Sequence, residues 1–137
     1  MRSDDTADQI FDLFFNSLFS GSKLVPKKPE VAERNLFCDV LKEEDGVRIV
    51  ADIPTGCLTP DVRVDSGILT ITVNRPIPGD VSDFESCQRP YGKWTRSFKL
   101  HDDHDPDSVE ATCKEGLLVI TIKRGTKTSA KNVKVHT

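Results

Sequence analysis

The chain has 137 residues, a net charge of −3 and 30% charged side chains. That length holds one ordinary domain with flanking sequence, and 36% hydrophobic residues supply one core rather than two. A mildly acidic chain is a poor nucleic-acid binder by phosphate contacts, and no apolar run reaches the roughly 18 residues of a membrane span.

The N-terminus, Met1-Arg2-Ser3-Asp4-Asp5, is acidic where a secretory signal or a transit peptide is basic. The four cysteines, Cys38, Cys57, Cys87 and Cys113, form no CxxC pair. Their spacing fits neither a zinc module nor a dense disulfide scaffold. They read as reduced thiols of a cytoplasmic protein, with oxidation of Cys87 or Cys113 left open.

Residues 1–35 read as an N-terminal arm. The pattern predicts an amphipathic helix over roughly 6–20, because Ala7, Ile10, Phe11, Phe14, Phe15 and Leu18 share one stripe. Thr6 with Gln9 forms a capping box, and Ser20-Gly21 supplies a stop. Phe19 adds a further aromatic ring. Residues 21–35, with Gly21, Pro26 and Pro29, read as a linker. The helix either packs on its own domain or, isolated by that linker, presents its aromatic stripe to another surface.

Residues 36–124 read as short strands. Val47, Ile49, Ala51 and Ile53 alternate with Arg48, Val50 and Asp52, and Pro54 and Gly56 end the run. Val62 and Val64 flank Arg63, and Asp65-Ser66-Gly67 is a tight turn before Ile68–Val73. Trp94, Arg96, Phe98 and Leu100 share one phase. Val109 and Ala111 lead through Lys114-Glu115-Gly116 into Leu117–Ile122. Strands at this spacing predict an all-β, immunoglobulin-like antiparallel β-sandwich.

Residues 74–93 are long for a structureless loop. Two readings stand: a disordered loop, or a strand over Ser82–Gln88 that leaves its own sandwich and pairs with a neighbour's edge. Residues 125–137 form a flexible C-terminal tail with three lysines and no acid. A basic tail beside an acidic body suits docking between copies. Val133 and Val135 near its end point the same way when extended.

Several motifs together resemble the small heat-shock protein family, plant and bacterial branch, built on the alpha-crystallin domain. They are Ala51-Asp52-Ile53-Pro54, Gly67-Ile68-Leu69-Thr70-Ile71, the block Arg89 through Gly92, Trp94, Arg96 and Phe98 to Leu100, and Ala111 through Gly116 to Leu118. The resemblance covers roughly residues 36–124 and the tail triplet. Trp94 stands where Phe is usual, Gln88 where Glu is frequent, His101 where Pro is, and Val-x-Val where Ile-x-Ile or Ile-x-Val is commoner.

The resemblance implies an ATP-independent holdase, not an enzyme, that binds unfolded or misfolded clients and prevents their aggregation. It implies a homodimer that assembles into larger homo-oligomers, with no cofactor and no metal. The client-binding surface would be Ile10, Phe11, Phe14, Phe15, Leu18 and Phe19. The tail motif Val133-x-Val135 would insert into a groove on a neighbouring sandwich, between Val62 and Val64 on one side and Val109 and Ala111 on the other. Burying two valines contributes at most about 3–5 kcal/mol before ordering costs, so single tails bind at about millimolar and act by number. The dimer interface would contain Phe84, Cys87, Arg89 and Arg96. Arg96 on an apolar face needs an acceptor there, unless its strand end is wet and the guanidinium snorkels.

The chain has no GxxxxGK[ST] phosphate loop and no nucleophile with a partnered base. His101-Asp102-Asp103-His104-Asp105 reads as a solvated acidic loop rather than a weak metal site. A monomeric CS-domain-like co-chaperone or interaction module is the alternative. It has no need of the 74–93 segment or the tail triplet.

Overall fold

A computed structural model describes residues 9–11, 28–125 and 131–137. Ten strands follow in order: β1 (Val31–Asn35), β2 (Cys38–Glu43), β3 (Gly46–Asp52), β4 (Asp61–Asp65), β5 (Ile68–Arg75), β6 (Tyr91–Lys99), β7 (Glu110–Lys114), β8 (Leu117–Lys123), β9 (Lys131–Val133) and β10 (Val135–His136). They form two five-stranded sheets, β1-β6-β5-β4-β9 and β10-β7-β8-β3-β2. The architecture is the expected all-β sandwich.

The period-2 pattern sets which side chains face inward. Along β5, Leu69, Ile71 and Val73 point into the core; along β8, Leu118, Ile120 and Ile122 meet them from the other sheet. Leu69, Ile71, Leu118 and Ile120 are all 0% exposed. Each such burial contributes about 1.5–3 kcal/mol relative to exposure. The β4–β5 and β7–β8 connections are tight turns in which both central residues have positive φ: Ser66 (52°) and Gly67 (76°), Glu115 (54°) and Gly116 (79°). That is the two-residue hairpin geometry whose twist matches the flanking strands.

One expectation is corrected. The linker reading of 21–35 fails over its last five residues. Val31–Asn35 form β1, which pairs parallel with β6 from Val31↔Tyr91 to Asn35↔Thr95. This contact explains the glycine of the Arg89–Leu100 block. Gly92 has φ +111°, and a Cβ there would stand 2.5 Å from the Ala32 carbonyl oxygen. The sandwich is antiparallel through its central strands, and two edge pairings, β1–β6 and β10–β7, are parallel. Within one chain Ser82–Gln88 has no strand partner among the described residues. Val81–Asp83 form a 3-10 turn capped by Asp80, followed by irregular chain. Pro76, Pro78, Gly79 and Pro90 flank it, so no proline lies within 82–88 itself.

Gln9–Phe11 are helical. The rest of that expected helix, with Phe14, Phe15, Leu18 and Phe19, lies outside the described residues.

Candidate functional site

The two sides of the sandwich differ. On one side the gap between β4 and β7 is lined by Val62, Val64, Val109 and Ala111, each no more than 2% exposed. The tail fills it. Val133 pairs antiparallel with Val62, and Val135 pairs parallel with Ala111. Val133 is 7% exposed, Val135 is half-buried, and Lys134 between them faces solvent. Alternation sends both valines inward while the chain crosses from one sheet to the other. The structure therefore brings all six tail and groove residues together, within one chain.

On the other side, β1 and β2 are outer strands, and among the described residues no further strand lies beside either. Leu36, 2% exposed, anchors the crossing from β1 to β2. Phe37 (81%), Val40 (56%) and Leu41 (38%) are exposed. An open edge with apolar side chains is a template for pairing with another chain.

The 76–90 loop lies against its own subunit. Phe84 meets Tyr91 edge-on, with ring centroids 6.1 Å apart. The Cys87 thiol, buried, donates to the Arg89 carbonyl at 3.4 Å. Arg89 Nη1 donates to the Tyr91 hydroxyl at 3.2 Å, and its guanidinium lies 5.6 Å from that ring. Phe84 and Arg89 thus meet Tyr91, with Cys87 bonded to the Arg89 backbone, whereas Arg96 sits apart. Its half-buried side chain lies over the Phe98 ring at 5.0 Å. Its charge also reaches Cys38, where burial nevertheless raises the thiol above its usual range. Burial likewise raises Cys57, against the opposing charge of Arg75.

Sequence reasoning missed two arginines here. Arg34 lies 5.3 Å over Trp94 and donates to the Tyr91 carbonyl at 2.6 Å. Arg75 approaches Trp94 from β5 at 5.4 Å. For Arg75 a signal existed, since it continues the inward period of Leu69, Ile71 and Val73.

Of the aromatic arm, Ile10 (62%) and Phe11 (42%) are exposed. Phe11 lines a surface pocket with Pro78, Asp80, Asp83 and Phe84, so arm and loop share a surface. Asp80 accepts hydrogen bonds from the Ser82 amide (3.0 Å) and hydroxyl (2.9 Å). These bonds, the amide first, hold its carboxyl below the usual range against slight desolvation.

His101 and His104 satisfy each other and their turn. The His101 amide donates to His104 Nδ1 at 3.1 Å, and His101 Nδ1 meets Asp103 Oδ1 at 2.6 Å. Among the described residues no three His, Cys, Asp or Glu side chains are placed to hold a metal ion, and no helix is long and apolar enough to cross a membrane.

Residues 39–136 match the model of the Hsp20/alpha crystallin family. The chain is 27% identical over 131 residues to small heat shock protein C4 of Rickettsia felis, covering 93% of this chain and 79% of that one. It is 32% identical over 90 residues to a 17.0 kDa class II heat shock protein of Zea mays, covering 63% and 58%. Among solved structures, hspA from Xanthomonas axonopodis superposes with TM-score 0.57 at 30% identity, covering 68% of this chain and 96% of that one. A small heat-shock protein from Xylella fastidiosa gives 0.59 at 27%, covering 77% and 100%, and is described as having a distinct high-order structure. The chain belongs to the Hsp20/alpha crystallin family of small heat-shock proteins, and a chaperone role goes with that membership.

Proposed function

We propose that the chain is an ATP-independent holdase, assembled as oligomers of strand-exchanged dimers in the cytoplasm, and that it has no catalytic activity. Such a protein lowers aggregation by mass action, holding apolar surface on unfolding chains. The client surface is the arm stripe of Ile10, Phe11, Phe14, Phe15, Leu18 and Phe19, whose rings give large, non-directional contact area. The observation that carries the reading is the seating of Val133 on Val62 and Val135 on Ala111. The groove accepts a segment that every copy carries, so a neighbour's tail fits the same backbone edges and the same apolar lining.

The dimer contact uses the opposite side. The 76–90 loop leaves Tyr91, extends, and pairs with the open β2 edge of a second copy, where Phe37, Val40 and Leu41 are exposed. Phe84, Cys87 and Arg89 travel with the loop, and Arg96 contributes from β6. The described high-order structure of the Xylella relative supports assembly of copies into larger oligomers.

A second reading has one observation in its favour. The tail is seated in its own groove, as in a self-sufficient monomeric interaction module of the CS-domain type. Aggregation of a heat-labile enzyme, followed by light scattering without nucleotide, tests the holdase. Suppression near one subunit per client is the expected result. Absence of suppression at tenfold excess favours the module.

A further inference from the structure

Among the described residues Arg75 is the one charged side chain buried in the sandwich, 7% exposed. It lies inside because β5 places Leu69, Ile71, Val73 and then Arg75 on one face. A buried charge is costly unless it is hydrogen-bonded. Arg75 Nε donates to the Thr55 carbonyl and Nη1 to the Pro90 carbonyl, both at 2.8 Å. The guanidinium also lies 5.4 Å from the Trp94 ring and 6.0 Å from the Tyr91 ring. Among the described residues no ion pair to a carboxylate holds it.

The two carbonyls say what this group is for. Pro90 is the last residue of the 76–90 loop, and Arg75 immediately precedes its first. One guanidinium therefore ties the loop's exit to its return. The bond to Thr55 fixes that root against the β3–β4 connection, which a backbone bond from the Leu58 amide to the Asn74 carbonyl (2.9 Å) also holds to β5. Tyr91, on which Phe84 and Arg89 rest, follows Pro90 directly. The planar fork of arginine serves two carbonyls in fixed directions, whereas lysine offers a single flexible point charge.

We propose that Arg75 is a positioning residue for dimer formation: it sets the direction in which the 76–90 loop leaves and re-enters the sandwich, and so presents that loop to a second copy of the chain. This rests on the loop-exchanged dimer proposed above. Without the clamp, the loop's root must be ordered at the moment of association, and that cost weakens the dimer.

The test uses the full chain with Arg75→Lys, which keeps charge, and Arg75→Met, which keeps length and apolar contact. Three quantities are read: the dimer dissociation constant by dilution and native mass spectrometry, amide exchange across 78–88 against β3 and β8, and the emission of Trp94, the chain's single tryptophan. Loss of charge-assisted bonds is expected to raise the dissociation constant about tenfold or more in both variants. Loop protection falls by a similar factor, Trp94 emission shifts, and the amides of Ile49 and Ile120 keep their protection. Unchanged dimer affinity, full rescue by lysine, or a loss of protection spread equally over β3 and β8 would each overturn the assignment. Deleting 78–88 from the wild-type chain separates the premise: a dimer that survives the deletion sinks loop exchange itself, whatever Arg75 does.

Discussion

Val133 stands in antiparallel register with Val62, so the end of the chain completes one edge of a sheet whose other edge, β1, has no strand beside it among the described residues. The same tail, two residues on, completes the second sheet through Val135 and Ala111. The sandwich is thus closed on the side where its tail lies, and open where β1 and β2 lie.

Replacing both Val133 and Val135 with glycine removes the side chains that fill the groove and adds backbone freedom to the tail. Each single contact is weak and many act together, so the assembly is expected to fall to small species in light scattering. An unchanged particle size would count against the tail's role.

Core substitutions should act through packing. Ile120 and Leu69 are fully buried and come from opposite sheets. Ile120→Ala is expected to cost about 2–5 kcal/mol, the lost transfer energy plus the cavity. Urea unfolding checks it. A cost below 1 kcal/mol would mean the two sheets do not meet there.

Arg96 should matter at the interface rather than in the isolated fold. Its side chain lies over Phe98 and is only half-buried in one subunit, so Arg96→Ala removes little from that subunit. Under the dimer proposal it is expected to raise the dimer dissociation constant several-fold with a nearly unchanged unfolding midpoint. A wild-type dissociation constant would remove Arg96 from the interface.

Serine at Phe11, Phe14 and Phe15 tests the arm. The β-sandwich is expected to melt as before, because its core lies in the two sheets and Phe11 is exposed. The capacity to suppress client aggregation is expected to drop several-fold. Full capacity in this variant moves client binding elsewhere, with the Phe37, Val40 and Leu41 edge the next candidate.

Acid should loosen the loop before the sheets. Asp80 has its carboxyl lowered in the folded chain by the Ser82 bonds. A lowered folded value favours the folded loop above the unfolded carboxylate pKa of about 3.9 and loses that contribution as pH falls through the folded value. Amide protection at Ser82 and Asp83, corrected for intrinsic exchange, is therefore expected to decline below about pH 4, ahead of β5 and β8. Asp80→Asn should abolish the pH dependence.

The sandwich was legible because its central strands alternate cleanly. Leu69, Ile71 and Val73, like Leu118 and Ile120, announce both the period and the inward face. The edge strands were not. Val31–Asn35 follows a proline-containing charged stretch, and β2 exposes most of its side chains, so neither carries a strong period. The valines of the groove and tail were named from the resemblance, and the register pairs them. That the tail lies in its own subunit's groove is not legible in the sequence, because spacing cannot say which copy a terminal segment reaches. Ser82–Gln88 reads as extended between its prolines; within one chain the Asp80 cap and the Phe84–Tyr91 contact hold it as a turn against its own subunit. Arg75 was hidden by its charge: an arginine at a strand end reads as surface, and only the carbonyls of Thr55 and Pro90 make its burial affordable.

Native mass spectrometry of the unmodified chain at micromolar concentration is the most direct check on the assembly. The expected spectrum holds even-numbered multiples of 15.3 kDa that exchange subunits on mixing with isotope-labelled chain. A lone 15.3 kDa species at every concentration would contradict the proposal and leave a self-capped monomer in its place.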